Sequence, residues 1–288
     1  MRRPLSGAVA VVTGSSRGAG RGIALALGDA GATVYVTGRT SRSGARPPDG
    51  AAGTVEDVAG EVTARGGQGI PFQLDMTVPA QVAGLFDRVE RTHGRIDVLA
   101  NAVWGGNEVV ELDGWGRPFW QQPLDQEWRR TMEAGVYSYL LASSEAARRM
   151  VEQRYGVIVH VTDGLTADGA RPYGGQIFWD LAHLSIDRMV GTMAQELRDH
   201  GVAVVGLMPG FMRTERVLMH MVSDEVKRAF RFDLSETPEY AGRAVAALAC
   251  DPQVMRRSGT VAFVADLARE YRFTDVDGRF VSRFDPSR

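Results

Sequence analysis

Gly14, Gly18 and Gly20 stand in the stretch Thr13-Gly14-Ser15-Ser16-Arg17-Gly18-Ala19-Gly20, a Gly-x-x-x-Gly-x-Gly spacing. The chemistry this spacing offers is anion binding. Gly14 lets the chain turn sharply, while Gly18 and Gly20 let backbone approach a ligand and let a helix pack closely. The exposed N–H groups at the start of the following helix favour a diphosphate. The apolar run Val9-Ala10-Val11-Val12 before the turn reads as a buried strand. Arg21-Gly22-Ile23-Ala24-Leu25-Ala26-Leu27 after it reads as a helix with an apolar face, so the turn has the context it requires.

A second charged group bears on the same ligand. Thr33-Val34-Tyr35-Val36-Thr37 is a second strand, ending in Gly38-Arg39-Thr40. In dinucleotide folds an acid at this strand end binds the ribose 2′-hydroxyl of NAD, and an arginine suits the 2′-phosphate of NADP. Arg39 stands there with no acid beside it, and Arg42 and Arg46 follow in the loop. NADP is therefore favoured over NAD, against the plainer reading of Arg39 as a solvated loop arginine.

The elements that must position these residues alternate along the chain. Strands are expected at 9–13, 33–37, 69–74, 96–100, 156–161, 202–207 and 259–264, with helices at 54–65, 79–93, 125–153, 174–200 and 237–250. That alternation predicts an α/β fold, a doubly wound seven-stranded parallel sheet of the Rossmann kind, in one NADP-binding domain over residues 1–288. Residues 103–124 carry Trp104, Trp115, Trp120 and Phe119 among several glycines. This aromatic insertion is expected over the substrate side, or else as a small surface cluster. Residues 211–236, rich in Met and Phe, are expected to cover the substrate pocket, with ordinary core packing as the competing reading. Residues 265–288 read as a charged, turn-rich tail.

Bulk properties narrow the classes. The 288 residues carry a net charge of -2, which gives no reason to expect nucleic acid or an anionic membrane as partner. The lone Cys250 excludes an internal disulfide and suits a reducing compartment. No apolar run reaches membrane-spanning length, and the residues before the first strand are too few for a signal peptide, so the cytoplasm is the expected location. His93, His160, His183, His200 and His220 show no ligand-like spacing, and no metal is expected.

With Thr13 ahead of it, the glycine turn resembles that of the short-chain dehydrogenase/reductase family, and further stretches extend the resemblance. Pro209-Gly210-Phe211-Met212-Arg213-Thr214 is similar to the family's Pro-Gly-x-x-x-Thr, whose threonine contacts the nicotinamide carboxamide. Asn101 keeps the first asparagine of the family's Asn-Asn-Ala-Gly, while Trp104 replaces its glycine. The family places an aspartate after the third strand against the adenine, which makes Asp75-Met76 a cofactor candidate, although Asp75 reads equally as a turn residue. The resemblance thus implies that NADP(H) is held by Gly14, Ser16, Arg17, Gly18, Ala19, Gly20, Arg39, Thr40, Asp75, Met76, Asn101, His183, Pro209, Gly210, Met212 and Thr214. The runs at 247–252, 266–271 and 275–279, the last being Asp275-Val276-Asp277-Gly278-Arg279, are similar to one branch of the family and carry the likeness to about residue 280. The family's usual dimers or tetramers, built on the helices at 125–153 and 174–200, imply a homo-oligomer here.

The catalytic positions depart from the family. Counting back from Gln195-Glu196-Leu197 puts Trp179 on the family's tyrosine and His183 on its lysine. Asp163 stands on the catalytic serine, and Gly135 on the mid-helix asparagine of the proton relay. Trp179 donates a hydrogen bond but is no acid near neutral pH. Asp163 and His183 are expected to face one another as an acid/base pair, with Tyr173 as a third candidate acid. Three functions remain open. One is an NADP(H)-dependent oxidoreductase acting on a small carbonyl, enone or quinone-like substrate. The second is a non-redox isomerase, cyclase or dehydratase on the same fold. The third is a non-catalytic NADP-binding protein.

Overall fold

Helices cover both sides of the sheet, so its valine-rich inner strands are buried on both faces, while its two edge strands are only partly buried. In the computed structural model, which describes residues 3–44, 50, 52–106, 117–163, 177–221, 223–229 and 231–284, these strands are β1 (Val9–Thr13), β2 (Thr33–Gly38), β3 (Gln68–Gln73), β4 (Val98–Asn101), β5 (Gly156–Val161), β6 (Val202–Met208) and β7 (Val261–Phe263). They form one parallel sheet in the order β3-β2-β1-β4-β5-β6-β7. The order reverses between β1 and β4, where Thr13 lies in register with Asn101. In such sheets the crevice beyond the strand C-termini at this reversal is where ligands bind.

Side-chain alternation sends each strand to two cores. On one face Ala10, Val12, Val34 and Val36 pack with Ile23 and Leu27 of α1 (Gly18–Asp29), Val58 of α2 (Val55–Ala64) and residues of α9 (Pro238–Cys250) and α10 (Val264–Tyr271). On the other, Val9, Val11 and Leu99 pack with α3 (Pro79–His93), α5 (Ser138–Gln153) and α6 (Ile177–Leu197). The sequence of α3 shows why it forms and stops. Pro79 opens it, and Val82, Leu85, Phe86 and Val89 recur on one buried face. Gly94 ends it in the left-handed region at φ 65°.

The segment expected as one helix over 125–153 has three parts: α4 (Leu124–Trp128), a π-helical stretch Arg129–Tyr137, and α5. Within the π-helical stretch, a Cβ at Gly135 would come within 2.7 Å of the Trp104 ring, so the indole lies against bare backbone there. Beyond β6 come α7 (Glu215–His220), α8 (Asp224–Ala229) and α9 (Pro238–Cys250). The turn-rich tail is corrected at its start. Residues Val264–Tyr271 form α10, because Val264, Leu267 and Ala268 make an apolar stripe buried in the first core.

Candidate active site

The turn after β1 is pinned from three sides. The Ser15 hydroxyl donates to the Val12 carbonyl at 2.8 Å and accepts the Thr37 N–H at 2.8 Å, fixing the turn to β2. The Thr13 hydroxyl donates to Asn101 Oδ1 at 3.3 Å and accepts the Ala102 N–H at 3.1 Å, fixing it to β4. Gly14 sits at φ 63°, and a Cβ there would lie 2.5 Å from Val103 Cα. A Cβ on Gly20 would lie 2.4 Å from the Gly14 carbonyl oxygen. Both positions therefore exclude any side chain.

Gly18 differs from these. A Cβ at Gly18 would find only Thr214 Cγ2, 3.8 Å away, within reach. The glycine thus faces open space between the turn and the loop after β6, room that suits the approach of a dinucleotide to the backbone. The Gly18 N–H, however, donates to Glu215 Oε2 at 2.7 Å, and Arg21 lies 3.7 Å from Glu215 Oε1. A carboxylate of the chain itself therefore occupies the Gly18 amide, one of the expected anion-binding groups. Sequence reasoning passed over Glu215. Its only signal is an acid directly after Thr214, and Thr214 caps α7 by accepting the Val217 N–H at 3.2 Å.

The remaining cofactor candidates fall into two groups. Arg17 reaches Thr40 Oγ1 at 2.8 Å, which brings its guanidinium to the end of β2 beside the exposed Arg39. Ser16 is buried beneath Gly38 and Gly53, and Ala19 stands half-buried at the start of α1. Pro209, Gly210 and Met212 are half-buried on the loop that carries Thr214. Asp75 and Met76 stand apart. Asp75 Oδ1 accepts the N–H and hydroxyl of Thr77 at 2.9 and 2.7 Å, a turn that leads into α3. The Met76 side chain is buried in the second core, so only its backbone can face a ligand. Arg42 pairs with Asp57 at 2.7 Å, and Arg46 lies outside the described residues.

Asn101 is fully buried and joins elements. Its Nδ2 donates to Ser143 Oγ at 3.1 Å and to His160 Nδ1 at 3.2 Å. Burial lowers the His160 pKa to about 3 and keeps the ring neutral. Tyr139 stacks on that ring and donates its hydroxyl to the Val161 carbonyl at 3.1 Å.

Around the positions that the resemblance assigns to catalysis, the structure brings together His183, Trp179 and Trp104. Trp104 lies over His183 with ring centroids 4.6 Å apart, and meets Trp179 edge-on at 5.1 Å. Trp179 and His183, one turn apart on α6, are 4.9 Å apart. His183 does not form the expected acid/base pair. Its Nδ1 accepts the backbone N–H of Asp163 at 3.0 Å, so the contact is to the Asp163 amide and not the carboxylate. Burial lowers the His183 pKa to about 3, and the ring is a neutral imidazole with its proton on Nε2. Among the described residues neither His183 Nε2 nor Trp104 Nε1 has a hydrogen-bond partner, although both are buried. Sequence reasoning placed Trp104 in the insertion and not in the site. Elsewhere in the insertion, Phe119 and Trp120 form an exposed edge-to-face pair. Trp115 and Tyr173 lie outside the described residues. The described residues hold no cluster of three or more metal-ligating side chains and no helix long and apolar enough to cross a membrane.

A doubly wound sheet with a glycine turn at its order reversal defines a nucleotide-binding α/β protein. Comparison with known proteins makes this specific. The family model for short chain dehydrogenases matches residues 8–221. Human dehydrogenase/reductase SDR family member 1 is 37% identical over 292 residues, covering 99% of this chain and 88% of that protein. The structure of a short chain dehydrogenase from Mycobacterium thermoresistibile matches with a TM-score of 0.78 at 20% identity, over 97% of this chain and 94% of that one. A metagenomic short-chain oxidoreductase in complex with NADP matches with a TM-score of 0.67 at 23% identity, over 90% and 97%. The chain belongs to the short-chain dehydrogenase/reductase family and resembles family member 1.

Proposed function

We propose that the protein is an NADP(H)-dependent oxidoreductase acting on an enone or quinone-like carbonyl, with no tyrosine at the position the resemblance assigns to the family's catalytic acid. The observation that carries this reading is the neutral His183 ring, which keeps a buried Nε2–H without an acceptor among the described residues. A buried donor left unpaired costs about 1–3 kcal/mol, and a substrate oxygen would relieve that cost. Trp104 Nε1 offers a second donor beside it.

In this reading Gly14, Ser16, Gly18, Ala19 and Gly20 hold the diphosphate, and Arg17, Arg39 and Thr40 hold the 2′-phosphate. Asn101, His183, Pro209, Gly210, Met212 and Thr214 face the nicotinamide end, and Asp75 with the Met76 backbone faces the adenine. That a metagenomic short-chain oxidoreductase of the same fold is in complex with NADP supports NADP as the cofactor. When bound, the cofactor supplies a hydride.

His183 is too weak an acid–base group at neutral pH to transfer a proton, because its pKa is held near 3. It acts as a fixed hydrogen-bond donor to developing negative charge. Such a donor suffices where the reduced substrate is a delocalised anion, an enolate or a hydroquinone anion. It does not suffice for the alkoxide of a simple ketone, which needs a proton in the transition state. Asp163 takes the role of polar wall to the substrate, Trp179 that of apolar wall, and Tyr173 remains the candidate proton source. Exposed Trp128, Leu140, Leu181 and Leu184 on the helical segments of the family interface support a homo-oligomer. The cytoplasm is its proposed location.

The ring contacts among Trp104, Trp179 and His183 also favour a second reading, a cofactor-binding protein without turnover. Loss of reduced-nicotinamide absorbance across quinones, enones and ketones separates the two. Turnover of quinones or enones, with ketones about a hundredfold slower or worse, is the expected result. NADPH binding with no turnover of any class selects the second reading.

A further inference from the structure

The turn Asp275-Val276-Asp277-Gly278-Arg279 grips both ends of the excursion that starts at the 209–214 loop. The two ends meet as a short parallel bridge. The Glu236 N–H donates to the Phe211 carbonyl at 2.9 Å, and the Arg213 N–H donates to the Glu236 carbonyl at 2.8 Å. The Glu236 carboxyl lies beneath Gly210, with Oε2 3.0 Å from where a Gly210 Cβ would stand.

Asp275 closes this base. Its side chain is fully buried. Its Oδ2 accepts the Thr237 N–H at 2.9 Å, and its Oδ1 accepts the Thr237 hydroxyl. The Arg213 guanidinium lies 3.4 Å from Asp275 Oδ2 and 3.7 Å from Asp277. Arg279 in turn donates to the Asp233 carbonyl at 3.0 Å. Arg243 of α9 donates to the Asp275 carbonyl at 3.1 Å, tying the turn to the core. Further along, the Phe284 ring packs against Phe211 at 5.9 Å. Each contact joins the C-terminal segment to residues 211–213 or 233–237, or to the helix just beyond them.

We propose that Asp275, acting through Arg213 and Thr237, is a positioning residue for the 209–214 loop, and that the C-terminal segment is a strap belonging to the cofactor site. The effect on cofactor rests on the reading given above; the strap itself does not. A carboxylate buried between a backbone amide, a hydroxyl and a guanidinium is held in one place, because any shift leaves its charge unpaired. Loosening it frees the two chain ends it joins, and with them Thr214 and the start of α7.

The test is hydrogen–deuterium exchange on Asp275→Asn and Arg213→Gln, with NADPH calorimetry alongside. Arg283→Gln is the control, since it breaks a tail contact to Asp266 that does not involve the loop. The expected result is exchange about tenfold faster over 209–221 in both strap variants, with β1 and β4 unchanged. NADPH affinity should fall about tenfold, Arg213→Lys should recover part of both effects, and Arg283→Gln should match wild type. If Asp275→Asn fails to fold, Arg213→Gln decides alone, because its side chain lies nearer the surface. Unchanged exchange over 209–221, or an equal rise in β1 and β4, overturns the proposal. If wild type binds neither nucleotide, the cofactor reading fails by itself and the exchange pattern still decides the strap.

Discussion

Substituting Glu215 by Gln should tighten NADPH binding while making the free protein less stable. The reason lies in the 2.7 Å bond from the Gly18 N–H to Glu215 Oε2, which puts a carboxylate on the amide that the proposed cofactor site gives to a diphosphate oxygen. Cofactor binding must displace it. A hydrogen bond to a charged group is worth about 1.5–3 kcal/mol. The flanking Arg21–Glu215 pair is partly exposed, with side chains 30% and 26% accessible, so solvent screening cuts the net value to about 1 kcal/mol. The glutamine variant should therefore bind NADPH about fivefold more tightly, since 1.4 kcal/mol is tenfold. The same loss should lower the Tm of the free protein by about 2–4 °C. Isothermal titration and scanning calorimetry read the two effects. The affinity gain should shrink as salt is raised, because part of it is relief of like-charge repulsion. A lowered Tm with unchanged or weaker NADPH binding would refute the reasoning, since Glu215 would then brace the site and not compete for it.

Arg39→Ala should weaken NADPH about tenfold or more and leave NADH unaffected, which paired titrations will read. Trp179→Tyr with His183→Lys should not by itself reduce ketones, whereas adding Trp104→Gly should give measurable ketone reduction in a nicotinamide absorbance assay. Stability should peak at a pH of about 6.5 in urea unfolding. His160 and His183 are held at about 3, so below their ordinary value of 6.5 the unfolded chain binds protons the native state refuses, and stability falls with falling pH. Glu236, raised by burial from 4.5 to about 8, works the other way. Its contribution is complete below 4.5 and is lost as pH rises to about 8, and the two histidines outweigh it below 6.5. Glu236→Gln should flatten the alkaline side of the profile and steepen the rise between 4.5 and 6.5, leaving only the slope below 4.5 in place.

The sheet was legible in the sequence for a local reason. Strands covered by helices on both faces must be apolar throughout, and Val9-Ala10-Val11-Val12 and Val202-Ala203-Val204-Val205 carry that requirement in consecutive letters. The glycine turn was legible because it lies between its own strand and helix. What could not be read depends on contacts distant in sequence. Glu215 on the Gly18 amide spans 197 positions, and Asp275 on Thr237 spans 38. Neither residue type announces a partner. The helix Val264–Tyr271 was hidden by Asp266, Arg269 and Glu270, whose charges mark only its solvent side. The expected Asp163–His183 pairing failed on a backbone detail, because the amide of Asp163 and not its carboxylate reaches the ring.

The departures that the resemblance implies at the catalytic positions depend on one another. The resemblance puts asparagine where Gly135 stands, and any Cβ there would meet the Trp104 ring at 2.7 Å. Trp104 can lie as it does only because Gly135 has no side chain. The indole in turn covers His183 at 4.6 Å, and a lysine at position 183 would have to thread past it to reach a ribose. Trp179 completes the packing edge-on at 5.1 Å. Burial under these two rings holds the imidazole neutral, and the Asp163 amide fixes its tautomer. Restoring tyrosine and lysine alone would therefore set an ammonium against apolar rings, with the space for a relay still filled. Removing Trp104 as well opens that space and lets solvent in. That is why the third substitution, and not the first two, should decide whether ketone reduction appears.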